Sequence, residues 1–175
     1  LLEFRKQSPN TSSELKDLQF LRSNINSIIK EYDELIKRKL DQNSLDKIKK
    51  VLNEIEYKIN FVSEENDIYK KLINTRKFIN TEIANLFIKT DLSGKDLISA
   101  GRRQEQVNNN WEVLLSFNNI GGEKFAEITK SIAGTNRLLS IVLDGESISE
   151  ASVGNQFIKT GITGGSATIS GNFNA

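Results

Sequence analysis

The 175-residue chain carries 24 Lys plus Arg against 23 Asp plus Glu, a formal net charge of +1, so it lacks the basic excess of a dedicated nucleic-acid binder. It has no cysteine and no histidine, which excludes a disulfide framework and thiolate chemistry and removes the commonest general base and metal ligand. No run of 18 apolar residues is present, and the opening LLEFRKQ is too short an apolar stretch for a signal peptide, so the chain starts as though cut from within something larger.

In chain order, residues 1–6 make a short candidate strand, followed by a polar break that holds the only proline, Pro9. Thr11-Ser12-Ser13-Glu14 fits a capping box. A helix is expected from there to about Leu40, roughly 40 Å long, with Leu18, Leu21, Ile25, Ile28, Tyr32 and Leu35 at heptad spacing. Asp41-Gln42-Asn43 makes a turn, with Asn43 or Ser44 as the next cap. Leu45, Ile48, Leu52, Ile55, Ile59 and Val62 then repeat the seam. Ser63-Glu64-Glu65 starts a third helix, its acids favoured by the helix dipole, and Tyr69, Leu72, Arg76, Ile79, Ile83 and Leu86 carry its stripe. Three stripes joined by short polar turns predict an up-down-up packing. The outer faces mix Lys, Glu, Asp and Asn, the composition of solvated helix surface.

After Lys89 glycine becomes frequent and the pattern turns from helix to sheet. Trp111 to Phe117 reads as a strand, and Gly121-Gly122 precedes a short helix with Phe125, Ile128, Thr129 and Ile132 on one face. Gly134 ends that helix. LLSIVL, Asp144-Gly145 and Ser147-Ile148-Ser149 then form a hairpin, because a type I′ turn needs positive φ at both central residues. ITGGSATISGNF is the last strand, entered through a glycine-rich bend. Alternate residues Thr163, Ser166, Thr168 and Ser170 are expected to be exposed.

No catalytic constellation emerges. Ser93-Gly94-Lys95-Asp96 lacks the longer glycine loop of a phosphate-binding motif. Gly121-Gly122-Glu123-Lys124 before a helix resembles an anion site, but backbone geometry accounts for the glycines. Gly161, Gly164, Gly165 and Gly171 match no dinucleotide fingerprint. Asp144 is explained by its turn, and Asp91 with Asp96 do not by themselves make a metal or glycosidase site. Ser149 and Ser166 have no activating base in the sequence. Asn10-Thr11-Ser12 matches a glycosylation acceptor only in form. No cofactor and no metal are expected, and the chain is not read as an enzyme.

Several segments recur together in a known family. Ser93-Gly94-Lys95-Asp96-Leu97-Ile98-Ser99-Ala100, the strand ending Ser116-Phe117, Gly121-Gly122-Glu123-Lys124-Phe125, Leu138 to Gly145, and Gly164 to Phe173 stand in the order seen in the head of the first large extracytoplasmic domain of the SecD family. Leu2-Glu3-Phe4-Arg5 resembles the strand leading into that head. The resemblance covers about residues 1–7 and 92–175, and its motif positions are Gly94, Asp96, Leu97, Ala100, Phe117, Gly122, Phe125, Asp144, Gly145, Gly165 and Gly171, read as structural.

The expected architecture is α+β: a small antiparallel or mixed sheet with one packed helix over residues 1–10 and 91–175, plus an inserted helical hairpin or three-helix, coiled-coil-like bundle over 11–90. The resemblance implies a Sec translocase accessory subunit in the inner membrane, with this part on the periplasmic side. It implies partnership with SecF, the SecYEG channel and the unfolded exported polypeptide, and coupling to the proton-motive force through transmembrane segments outside this chain. An edge of a short sheet can take up an extended peptide, and Phe157, Ile158, Thr168 and Ser170 are the candidate polypeptide-binding surface. The alternative is a structural or adhesive surface protein whose helical arm binds a folded partner.

Overall fold

The computed structural model describes residues 1–39, 41–104 and 111–173. The chain divides into two compact units, Leu1–Asn10 with Leu86–Ala175, and Thr11–Asn85.

The second unit holds helices α1 (Ser12–Lys37), α2 (Gln42–Lys58) and α3 (Ile68–Asn85). Their buried residues follow the heptad stripes: Leu21, Ile25 and Ile28 on α1, Ile48, Leu52 and Ile55 on α2, and Leu72, Ile79 and Ile83 on α3. Burying these seams against one another supplies the stability that separate helices of this length lack.

Details at the helix ends depart from expectation. Thr11 is the N-cap of α1 but its side chain does not cap, because its backbone (φ −101°, ψ 7°) is not the extended conformation that aims the hydroxyl at the first turn. Asp41, rather than Asn43 or Ser44, caps α2: it is extended, and its carboxylate accepts from the Ser44 N–H at 2.8 Å. α3 starts only at Ile68, so Glu64 and Glu65 lie ahead of its first turn, and Val62 is 69% exposed rather than part of the seam. The stripe of α3 runs through buried Thr75, not Arg76. Its hydroxyl donates to Glu56 Oε1 at 3.1 Å, a carboxylate that also accepts from the Ser63 N–H at 3.0 Å and lies 3.6 Å from Lys71 Nζ. A heptad count cannot find a polar pair of this kind in a core.

The first unit is α+β, with its sheet divided in two. Strands β1 (Leu2–Gln7), β2 (Phe87–Ser93), β5 (Leu138–Leu143) and β6 (Glu146–Ser152) form an antiparallel sheet in the order β2-β1-β5-β6. Strands β3 (Leu97–Gln104), β4 (Trp111–Phe117) and β7 (Ser166–Phe173) form a second, in the order β3-β4-β7. Helix α4 (Asn119–Ile132) packs against β2, β4 and β5. β2 begins at Phe87, so the strand lies partly inside the range expected to be helical. Its first residues continue the apolar rhythm of α3 with no glycine or proline between.

A single 3₁₀ turn, Gly94–Asp96, passes the chain from one sheet to the other. The core joins both sheets to α4: Phe4 of β1 meets Phe117 of β4 edge-on at 5.7 Å, and Phe117 stacks on Phe125 of α4 at 4.9 Å. Leu92, Leu115, Ile132 and Ile169 close around them. Asp144 and Gly145 both take positive φ (50° and 88°) between β5 and β6, as the type I′ turn demands.

Candidate functional site

Helix α4 sets the floor of the site. Asn118 caps it, its side-chain oxygen accepting from the Gly121 N–H at 2.7 Å, which fixes where the first turn starts. From that start the helical period turns Phe125 and Thr129 to the same inner face. Thr129 is fully buried; its hydroxyl donates to the Phe125 carbonyl at 2.7 Å and accepts from the Ile162 N–H at 2.8 Å. This ties the segment between β6 and β7 to the helix. Gly161 allows the approach: its φ is +69°, and a Cβ there would lie 1.8 Å from the Ala126 carbonyl oxygen.

With that segment held down, β6 and β7 come to flank a groove of about 390 Å³. Its floor is apolar, made by Phe125, Ile141, Val153, Ile162 and Ile169, and its rim is polar, made by Glu150, Ser152, Thr168 and Ser170. Among the described residues both flanking strands are sheet edges: β6 pairs only with β5, and β7 only with β4. Apolar surface beside unpaired strand edges is suited to an extended chain, whose backbone and side chains can both be satisfied there.

At one end of β7, Ser170 Oγ donates to Glu112 Oε1 at 3.1 Å, and Arg103 donates to Glu112 Oε2 at 2.7 Å. The Arg103 guanidinium first, and the Ser170 hydroxyl second, hold the Glu112 carboxyl below its usual range. The rim acid Glu150 accepts from Ser147 Oγ, whose other neighbour is Ser140 Oγ at 2.6 Å.

Of the four residues expected to form a polypeptide-binding surface, Thr168 and Ser170 line this groove and Phe157 and Ile158 do not. Phe157 closes a 3₁₀ turn, Asn155–Phe157, and Ile158 is half exposed, its side chain lying where a Cβ on Gly134 would meet it. Thr163 lines a separate hollow with Gly122, Gly164 and Gly165. The sequence reading missed Glu150, Val153 and Ile162; only the alternation within ESISEAS pointed to an exposed face there.

The motif positions have structural surroundings. Gly94 leaves 3.1 Å between a built Cβ and Leu2 Cβ, Gly122 lies against Gly165, and Phe117 and Phe125 are core. Leu97 sits at the irregular start of the β3–β4 ladder and Ala100 is exposed farther along β3. Gly171 falls in the register shift of β7 between Ser170 and Phe173. Asp96 is buried; it accepts from the Ser93 N–H at 2.9 Å and from Lys124 Nζ at 3.2 Å, while its backbone carbonyl accepts from the Asn118 N–H at 2.9 Å. Among the described residues no group of three or more His, Cys, Asp or Glu could hold a metal ion, and no helix is long and apolar enough to cross a membrane.

Residues 70–175 match the family model described as SecDF, P1 head subdomain. The chain is 52% identical over 180 aligned positions to the protein translocase subunit SecD of Prochlorococcus marinus, covering 100% of this chain and 35% of that protein. It is 38% identical to the protein translocase subunit SecD of a Synechocystis species, covering 98% of this chain and 31% of that one. The chain therefore spans about a third of the length of these relatives. A solved structure titled "Structure and function of a membrane component SecDF that enhances protein export" aligns with a TM-score of 0.49 at 22% identity, over 97% of this chain and 54% of that one.

Proposed function

Because the chain belongs to the SecDF P1 head subdomain family, we propose that it acts as the extracytoplasmic head of a Sec translocase accessory subunit and contacts the exported polypeptide while it is still unfolded. In this reading the subunit lies in the inner membrane with the head on the periplasmic side. SecF and the SecYEG channel are its partners, and the proton-motive force moves the head through transmembrane segments outside this chain. The head itself performs no chemistry. It holds and releases.

The observation that carries the reading is the groove between β6 and β7, with an apolar floor between two unpaired strand edges. A folded protein keeps its backbone groups paired internally and offers little to such edges, whereas an unfolded chain offers both backbone and side chains.

The test is to titrate the 175-residue chain with an export client held unfolded, and with the same client folded, and to map protection by amide hydrogen exchange. Binding of the unfolded form at least tenfold tighter, with protection over residues 150–170, is the expected result. Equal binding of both forms, or protection confined to residues 11–85, would overturn the reading and favour a surface protein with a helical partner-binding arm.

A further inference from the structure

The four outer strands of the two sheets are not equally protected. Exposed edges invite pairing, and proteins blunt them with charges, bulges or proline. β2 carries Lys89 and Asp91 with an irregular register to β1, and β3 carries Arg102 and Arg103. β6 carries Glu146 and Glu150, and a bulge at Ile148, since Ile141 faces Ser149 while Val142 faces Ser147. β7, Ser-Ala-Thr-Ile-Ser-Gly-Asn-Phe, has no charged residue and no proline, and its ladder to β4 is regular from Ser166 to Ser170. Among the described outer strands it alone carries no charge, and up to the register shift at Gly171 its edge from Ser166 to Ser170 is unguarded.

The direction of its backbone groups follows from the pairing. The Phe117 N–H donates to the Gly165 carbonyl at 2.8 Å, which makes 117 and 165 a hydrogen-bonded pair. In an antiparallel ladder such pairs alternate with pairs whose N–H and C=O groups point away from each other. Ser116↔Ser166, Leu114↔Thr168 and Glu112↔Ser170 are therefore the outward-pointing pairs. The N–H and C=O groups of Ser166, Thr168 and Ser170 face the groove side of β7, spaced as a ladder.

We propose that an extended segment of the client adds to β7 as a fourth strand of the three-stranded sheet, in the order β3-β4-β7-client. This rests on the reading that the head contacts unfolded chains, and adds how it does so and which segments it takes. Strand alternation sends every second client side chain down onto Phe125, Ile141, Val153, Ile162 and Ile169, so those positions are apolar. The intervening side chains face outward at the rim. Among the described residues Glu150 is the one charged residue lining the groove, so a basic residue is favoured at the rim and an acidic one disfavoured. The preferred client segment is therefore alternating apolar and polar, neutral or basic, and free of proline.

The probe is a synthetic peptide of about eight residues, the length of an ordinary strand, with Val at alternate positions and Ser or Lys between. Two derivatives carry N-methyl groups, one on every Val amide and the other on every intervening amide. All the Val amides of an extended strand point to one side, so strand addition predicts that one derivative loses at least tenfold in affinity while the other binds like the parent. The chain variant Thr168→Pro removes an outward N–H without touching the β4 ladder; it should lose the parent peptide while keeping its amide spectrum outside β7. Replacing Lys by Glu in the peptide should weaken binding severalfold.

Both N-methylated peptides binding alike, or Thr168→Pro binding as the unaltered chain does, would overturn strand addition, and if the unfolded client still binds, the broader reading survives. Failure of both peptide and unfolded client to bind would sink the two together. Dimerisation of the chain through β7 without peptide binding would make a second copy the occupant and overturn the proposal.

Discussion

Asp96 closes the turn where the chain passes between the two sheets, and its charge is buried beside Lys124. Burial pushes its carboxyl up, but the Ser93 N–H and the Lys124 ammonium outweigh this and hold it below the ordinary value of 3.8. A carboxyl lowered in the folded state stabilises the fold fully above its unfolded value and loses that contribution as the pH falls through the lower folded one. Asp96→Asn keeps an acceptor for Ser93 but removes the charge facing Lys124. Urea unfolding at pH 7 should show a loss of about 1.5–3 kcal/mol, the scale of a hydrogen bond to a charged group, and the difference from the unaltered chain should shrink towards pH 3. A difference independent of pH would mean that packing, not charge, is what Asp96 supplies. The sequence marked Asp96 as a structural position, and Ser93-Gly94-Lys95-Asp96 has the spacing of a capping box, but Lys124 as its counter-ion does not follow from spacing, because it arrives on α4, beyond the end of β4.

At the scale of elements, Glu56 is the fixed point of the α2–α3 connection, taking the Ser63 N–H, the Thr75 hydroxyl and the Lys71 ammonium. Removing it leaves a buried N–H and a buried hydroxyl without their acceptor, each costing about 1–3 kcal/mol. Glu56→Ala should therefore destabilise the helical unit by about 2–6 kcal/mol in thermal or urea unfolding, with faster amide exchange at Ser63. A change under 1 kcal/mol would show that the connection does not depend on Glu56. The three helices were legible because apolar residues recur at 3.6-residue spacing, and the β5–β6 hairpin because Asp-Gly admits few other conformations. β2 was not legible: Phe87-Ile88-Lys89-Thr90 follows α3 without a breaker, and only pairing with β1 makes it a strand. The groove was half legible. Thr168 and Ser170 lie on an alternating strand, but the floor draws on α4, β5 and the segment after β6, which are brought together only by folding.

At the scale of the whole molecule, β1 and β2 are antiparallel neighbours, Gln7 facing Phe87 and the Ser8 N–H donating to the Leu86 carbonyl at 2.8 Å. Residues 11–85 thus leave and return at the open end of one hairpin. Replacing them with a short Asn-Gly turn, the connection that paired strands of this kind favour, should leave the two-sheet unit folded. Its retained cooperative unfolding and dispersed amide spectrum would check this, and a molten product would show instead that the helices are required to hold β1 against β2. Long connections add little closure entropy, so the shortened chain should be within about 1–2 kcal/mol of the parent unit.

That same hairpin decides how the molecule bears load. Tension applied through residues 1 and 173 reaches Thr11–Asn85 only after β1 and β2 have parted, because the Ser8–Leu86 bridge short-circuits the path around the helices. While the sheets hold, the helical unit feels no pull. Once they yield, it becomes part of the tether and can lengthen it by roughly 250 Å, at about 3.4 Å per extended residue. The order of rupture is written into the connectivity: the sheets first, the helices afterwards.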